Sequence, residues 1–265
     1  MLLTISHTTH YSYDAPVSYA LQRLRLRPSS NRQQKVLEWD IDLDGGQCEV
    51  SYVDPHGNNT DLVLMEDASH QLRITARGKV ETTDTVGVLG FMPSPVPLWH
   101  YRQQTAVTEP GDGIKALAAG IDATEGLLPA LHALSARVAE AVAYVPGKTY
   151  AATPAEDALS GGEGVCQDHA QIFISAARIA GVPARYVSGY LMMDDRVDQD
   201  AGHAWAEAWL PDLGWVGFDV SNGHSPDERY VRLATGLDYS QAAPLSGMRH
   251  GIGNETMIVS LQVQQ

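Results

Sequence analysis

Apolar residues along this chain change their spacing once, and that change divides it. Through about the first ninety residues they fall on every second position. Trp39-Asp40-Ile41-Asp42-Leu43-Asp44 alternates and stops at Gly45-Gly46, and Cys48, Val50 and Tyr52 continue the period up to the turn Asp54-Pro55-His56-Gly57-Asn58-Asn59. Leu72, Ile74, Ala76, Gly78 and Val80 then alternate with Arg73, Thr75, Arg77, Lys79 and Glu81. A period of two broken by Gly, Pro and Asn predicts an antiparallel β-sandwich, with Cys48 as filler on its inner face.

Alternate prolines in Pro93-Ser94-Pro95-Val96-Pro97 predict an extended connector. Beyond Pro110-Gly111-Asp112-Gly113 the period becomes helical: Leu127, Leu131, Leu134, Val138, Ala141, Val142 and Val145 share one face. Thr153-Pro154-Ala155-Glu156 reads as a capping box opening a short helix that ends at Gly161-Gly162. A stronger helix runs from Cys166 to Ala180, capped by Gly181 and stopped by Pro183. Strands follow over 184–192, 203–210 and 215–220, the last two joined as a hairpin through Pro211-Asp212-Leu213-Gly214. A tail strand with Met257, Val259, Leu261 and Val263 on one face is expected to close the sheet. The fold class is therefore α+β: an N-terminal antiparallel β-sandwich (1–100), then a core (101–265) in which helices pack on an antiparallel sheet.

Composition narrows the partners. The 265 residues carry 32 acidic against 18 basic side chains, a net charge of −14, which repels nucleic acid and anionic membrane surfaces. The first residues lack the basic flank and apolar run of a signal peptide, and no stretch reaches the roughly 18–20 apolar residues of a membrane span. Two cysteines, Cys48 and Cys166, are too few for a disulfide framework. A cytoplasmic location that keeps both as thiols is expected.

Candidate chemistry gathers around Cys166. It stands at a helix start just after Gly161-Gly162-Glu163-Gly164, where the helix dipole and free backbone N–H groups favour a thiolate. His203 opens a strand whose alternate residues Ala204, Ala206 and Ala208 leave room for a helix to pack closely. Asp219 ends the partner strand, and the hairpin brings it within a few positions of His203, where a carboxylate can hold one ring N–H. A thiol, a base and an orienting acid at the ends of three elements facing one seam form a nucleophilic triad.

Gly164-Val165-Cys166-Gln167-Asp168, Ala184 to Tyr190, His203-Ala204-Trp205 and Gly214 to Asp219 together resemble the transglutaminase-like superfamily. The opening His7 to Tyr13, Leu24-Arg25-Leu26-Arg27-Pro28 and Asp54-Pro55-His56-Gly57-Asn58 are similar to the N-terminal β domain of its bacterial two-domain branch, and Ala234 to Tyr239 also fits. The resemblance implies a papain-like core and a Cys-His-Asp triad at Cys166, His203 and Asp219. Two positions depart from the family pattern: His169 replaces a more usual Phe, and Val220-Ser221 replaces the commoner Pro-Thr.

Such a triad attacks an amide carbonyl through Cys166 and passes through a thioester. The Cys166 backbone N–H is the expected first oxyanion donor, with the Gln167 backbone, Tyr150 and Tyr144 as candidates for the second. The expected substrate is a peptide or protein amide. The expected activity is that of a cysteine peptidase or amidase; a protein-glutamine gamma-glutamyltransferase that uses an amine acceptor, and a non-catalytic peptide-binding scaffold, are the alternatives. No cofactor or metal is expected. His7 and His10 fall on opposite strand faces, and Asp194 to Asp200 lacks the downstream Glu of a calcium loop. That acidic run reads instead as a solvated loop or as an acidic lid attracting cationic amines. Glu207 is expected to pair with Arg185 rather than act in catalysis, and Trp205, Trp209 and Trp215 to be core aromatics, with Trp205 or Trp215 as candidates for lining an acyl-donor tunnel.

Overall fold

A computed structural model describes residues 1–66, 69–250 and 253–265. In the N-terminal region β1 (Leu2–Tyr13) turns Leu3, Ile5, Tyr11 and Tyr13 inward on alternate positions, as the period of two requires. It pairs antiparallel with β6 (Gln71–Thr82), which pairs with β3 (Gln34–Asp44). The facing sheet contains β2 (Tyr19–Arg27), β5 (Asn59–Met65) and β4 (Gly46–Val53). Leu24, Leu26, Val63, Leu72, Ile74 and Val80 fill the space between.

Three expectations about strands are corrected. Cys48 is exposed, not core filler, because β4 is an edge strand and its pairing with β5 slips between Cys48 and Val50. Every residue of β4 from Gln47 to Val53 is exposed, Val50 and Tyr52 among them, so this edge strand buries neither face. The tail strand β16 (Glu255–Gln264) closes a sheet, but it is the N-terminal one: it pairs with β1, burying Leu261 and Val263 while Met257 stays 53% exposed. In the same way β15 (Leu245–His250) pairs with β2. Conversely β7 (Val88–Gly90) belongs to the core sheet, so sheet membership crosses the expected division at residue 100.

The core sheet runs β14 (Tyr230–Gly236), β10 (Ala184–Leu191), β12 (His203–Leu210), β13 (Gly214–Phe218), β7, all antiparallel. The helices α1 (Asp112–Ala119), α2 (Leu127–Ala141), α3 (Ala155–Gly161) and α4 (Cys166–Ile179) cover one face. Buried Ala204, Ala206 and Ala208 present only methyl groups to α4, so helix and sheet approach closely. The predicted helix through residue 145 ends at Ala141, because β8 (Ala143–Tyr144) pairs in parallel with β9 (Glu163–Gly164). The predicted capping box does not form at α3, whose N-cap is Pro154. Glu156 instead accepts the backbone N–H groups of Gly111, Gly113 and Ile114 at 2.8–3.0 Å, so it caps α1.

Buried polar residues tie the two regions together. Asp54 accepts the Arg25 Nε–H at 2.9 Å and also holds Asn58, whose amide bonds both the N–H and C=O of Thr235 in β14. The Asp54 to Asn58 turn is thereby pinned to the core sheet. Among the described residues no helix is long and apolar enough to cross a membrane.

Candidate active site

Cys166 is the first residue of α4, with Val165 extended before it. Buried Asp168 reaches back to accept the Val165 N–H at 2.8 Å and the Thr149 hydroxyl at 2.6 Å. The approach is tight: a Cβ on Gly164 would lie 2.9 Å from the Asp168 side chain, so only glycine fits there. This arrangement fixes the half-buried Cys166 at the end of the helix where backbone N–H groups lack intrahelical partners.

His203 is buried at the start of β12, and its Nε2 lies 2.6 Å from Asp219 Oδ2. The hairpin register accounts for this, since Ala206 pairs with Phe218 and the next residue, Asp219, falls toward the His203 end. Asp219 is fully buried, and the same Oδ2 accepts the Asn222 amide and the Tyr230 hydroxyl, each at 2.7 Å; Oδ1 accepts the Asn222 N–H at 3.2 Å. Burial opposes ionisation of Asp219, but the His203 hydrogen bond and charge, with those of Asn222 and Tyr230, hold its pKa below the ordinary value. With Nε2 committed to Asp219, Nδ1 is the ring nitrogen left for Cys166. Burial alone would lower the His203 pKa. The Asp219 hydrogen bond, followed by the hydrogen bond and charge of Cys166, outweighs it and raises the value to about 10. Trp205 stacks on the imidazole at 6.3 Å and Tyr230 meets it edge-on at 5.9 Å.

Cys166 and His203 open into a cleft of about 630 Å³, also lined by Tyr144, Met193, Ser221 and Asn222, with Arg196, Asp198 and Asp200 from the acidic run. Two of the aspartates in that run are engaged elsewhere: Asp195 pairs with Arg196 at 2.9 Å and Asp194 with Arg229 at 3.4 Å. Residues Asp198–Gln199 form β11, which adds to β16, so one wall of the cleft is fastened to the N-terminal sheet.

The expected second oxyanion donors separate. Tyr144 lines the cleft, and burial followed by the charge and hydrogen bond of Cys166 raises its pKa to about 12. Tyr150 is 80% exposed and its backbone N–H is held by Thr153, so it stands outside the cleft. Gln167 remains in the first turn of α4 and its side chain donates to the Ala151 carbonyl at 3.1 Å.

His169 is buried: its Nε2 meets the Val142 carbonyl at 2.9 Å and its Nδ1 the Ser221 hydroxyl at 2.8 Å. Glu207 pairs with Arg185 at 2.6 Å as expected, and Arg232, which the sequence reading missed, adds a third charge at 3.1 Å. Trp205 and Trp215 are buried, and neither lines the cleft. Asn222 and Tyr230 were also missed. Asn222 sits three residues after Asp219 in a turn, a spacing that signals a bond back to the carboxylate; Tyr230 carries no local signal.

Comparison with known proteins agrees with this architecture. Residues 115–220 match the transglutaminase-like superfamily, and residues 3–81 match the bacterial transglutaminase-like N-terminal region. An uncharacterized protein of Mycobacterium leprae is 27% identical over 274 residues, covering 98% of both chains. A protein-glutamine gamma-glutamyltransferase of Pseudomonas aeruginosa is 33% identical over 98 residues, which is 33% of this chain and 15% of that one. The crystal structure of a proposed cysteine protease from Cytophaga hutchinsonii superposes with a TM-score of 0.79 at 20% identity, covering 100% of this chain and 91% of that one, and shows the same fold. The chain thus carries a transglutaminase-like superfamily core over residues 115–220, preceded over residues 3–81 by a bacterial transglutaminase-like N-terminal region.

Proposed function

We propose that the chain is a thiol-dependent enzyme acting on peptide or side-chain amides, with Cys166, His203 and Asp219 as its triad and hydrolysis as its favoured outcome. The observation that carries this reading is the 2.6 Å hydrogen bond from His203 to buried Asp219, with His203 and Cys166 lining one cleft. The Cys166 thiolate attacks the carbonyl carbon, and the C=O electrons move onto oxygen. The Cys166 N–H and a second donor, the Tyr144 hydroxyl or the Gln167 N–H, meet that charge. As the tetrahedral intermediate collapses, the C–N bond breaks and His203 gives its Nδ1 proton to the departing nitrogen, leaving a thioester. His203 then takes a proton from water, whose oxygen displaces the sulfur, and thiolate and imidazolium return together. Asp219 keeps the imidazole oriented and balances its positive charge.

Water reaches this site through an exposed rim that includes Asp200, Ala201 and Gly202, which supports hydrolysis. Transfer to a primary amine uses the same triad and is the second reading, favoured by the similarity to the Pseudomonas aeruginosa gamma-glutamyltransferase. Two free thiols, Cys48 and Cys166, support placing the activity in the cytoplasm, where thiols stay reduced.

The test incubates the protein with a glutamine-containing peptide and a tagged primary amine. Ammonia release with formation of glutamate, lost in Cys166→Ala, is expected. Incorporation of the tag replaces hydrolysis by transfer, and turnover that survives Cys166→Ala overturns the thiol mechanism.

A further inference from the structure

We propose that Ser221 is a specificity-determining residue that accepts the N–H of the scissile amide, with His169 as the positioning residue that fixes its hydroxyl. The proposal rests on the thiol-dependent amide chemistry argued above and names what that same site selects.

Hydrogen-bond inventory carries the inference. The Val142 carbonyl can only accept, so the His169 nitrogen 2.9 Å away, Nε2, bears the ring proton. His169 is buried, and burial holds its pKa below the ordinary value despite the opposing effects of the Val142 carbonyl and the Asp168 and Asp219 charges. A neutral ring protonated at Nε2 has a bare Nδ1. The Ser221 hydroxyl 2.8 Å away must therefore donate its single proton to Nδ1. Its oxygen keeps its lone pairs, and Ser221 lines the same cleft as Cys166 and His203.

The neighbouring Asn222 amide is engaged, donating to Asp219 at 2.7 Å. A serine whose proton is pinned away from the cleft offers a substrate only an acceptor. An amide presents an N–H to meet it; the isosteric ester presents a lone pair that repels it. A phenylalanine at 169 would supply no acceptor for the serine proton. Ser221 could then rotate and either donate or accept, so the selection depends on the histidine.

The experiment compares a γ-glutamyl 4-nitroanilide with the matching 4-nitrophenyl ester, so that each variant is judged on the ratio between the two. Ser221→Ala is expected to lower kcat/KM for the anilide roughly three- to tenfold, the worth of one neutral hydrogen bond, and to leave the ester no slower, since it removes the oxygen that repels the ester's lone pair. Ser221→Thr should restore the anilide, and His169→Phe should shift the ratio in the same direction as Ser221→Ala. Equal losses on both substrates, no loss on either, or an effect confined to the KM of an added primary amine overturns the proposal. Alkylation of Cys166 by iodoacetamide reads the nucleophile alone. A changed ratio with unchanged alkylation supports selection by Ser221, whereas a parallel fall in alkylation assigns Ser221 to the thiol and overturns it. Ordinary, His203-independent alkylation in the unmutated protein would count against the thiol mechanism itself, a separate failure.

Discussion

Replacing Glu207 by Gln tests whether the carboxylate nearest the triad on β12 is a structural charge or a catalytic one. Glu207 is fully buried, with Oε2 at 2.6 Å from Arg185 Nε and Oε1 at 3.1 Å from Arg232 Nε. It joins three adjacent strands, β10, β12 and β14, beneath His203. Arg185 is also buried, and its guanidinium lies 3.8 Å above the Trp215 ring. Glutamine keeps the shape but removes the only negative charge of the cluster and turns an NH2 donor toward a guanidinium. Buried Arg185 and half-buried Arg232 are left without their shared counter-charge. Removing one partner of a buried ion pair costs about 3–5 kcal/mol. For a chain of this size that corresponds to a fall in Tm of roughly 6–20 °C.

Thermal unfolding at neutral pH is the assay, repeated down through the acid range. Burial raises the Glu207 pKa, but Arg185 and Arg232 overcome it and set the native value below the ordinary 4.5. A depressed native pKa means that the carboxylate contributes fully above pH 4.5 and loses its contribution as the pH falls through the native value. The gap between the parent protein and Glu207→Gln should therefore be constant near neutrality and close in acid. A loss below about 1 kcal/mol would refute the reasoning, since it is what exposed pairs give. Unchanged stability together with lost turnover would make Glu207 catalytic.

Asp219→Asn removes a charge-assisted hydrogen bond to His203 worth about 1.5–3 kcal/mol, so iodoacetamide alkylation of Cys166 at neutral pH should slow by roughly tenfold or more. The raised His203 pKa stabilises the fold fully below the unfolded value of 6.5 and ceases to do so as pH rises through about 10; the stability gap between parent and Asp219→Asn should shrink over that window, as unfolding at pH 7 and pH 10 will show. Glu156→Ala leaves three N–H groups at the start of α1, those of the N-cap Gly111 and of Gly113 and Ile114, without their acceptor and should cost about 1–2 kcal/mol in urea unfolding. Cys48, being exposed, should react with a thiol reagent in the native protein, and Cys48→Ser should leave the unfolding free energy within about 0.5 kcal/mol of the parent.

What was legible in the sequence is what neighbours in the chain decide. Alternation gave β3 and β6, glycine and proline punctuation gave α4 and the hairpin, and the hairpin register alone brings Asp219 to His203. The Arg185–Glu207 pair followed from adjacent strands for the same reason. Contacts between distant segments were not legible. β16 has the alternation of any strand, and nothing in its residues says that its partner is β1 rather than the core sheet. Glu156 stands where a capping box needs it, yet it serves a helix some forty residues earlier, because α1 and α3 pack together. Cys48 alternates like a core residue, yet all of β4 from Gln47 to Val53 is exposed at the sheet edge, a position that alternation does not record. Tyr230 meets Asp219 only through the folding of β14 beside β10.

The central claim is an imidazolium at His203 held between Asp219 and the Cys166 sulfur, and the ¹⁵N and ¹H resonances of that ring report it directly. At pH 8 both ring nitrogens of His203 should carry protons, because the native pKa is about 10 against an ordinary 6.5, and Cys166→Ala should shift the titration downward by removing one of the two groups that raise it. A His203 ring that is neutral at pH 8, or one whose titration is the same with and without the Cys166 sulfur, would contradict the claim.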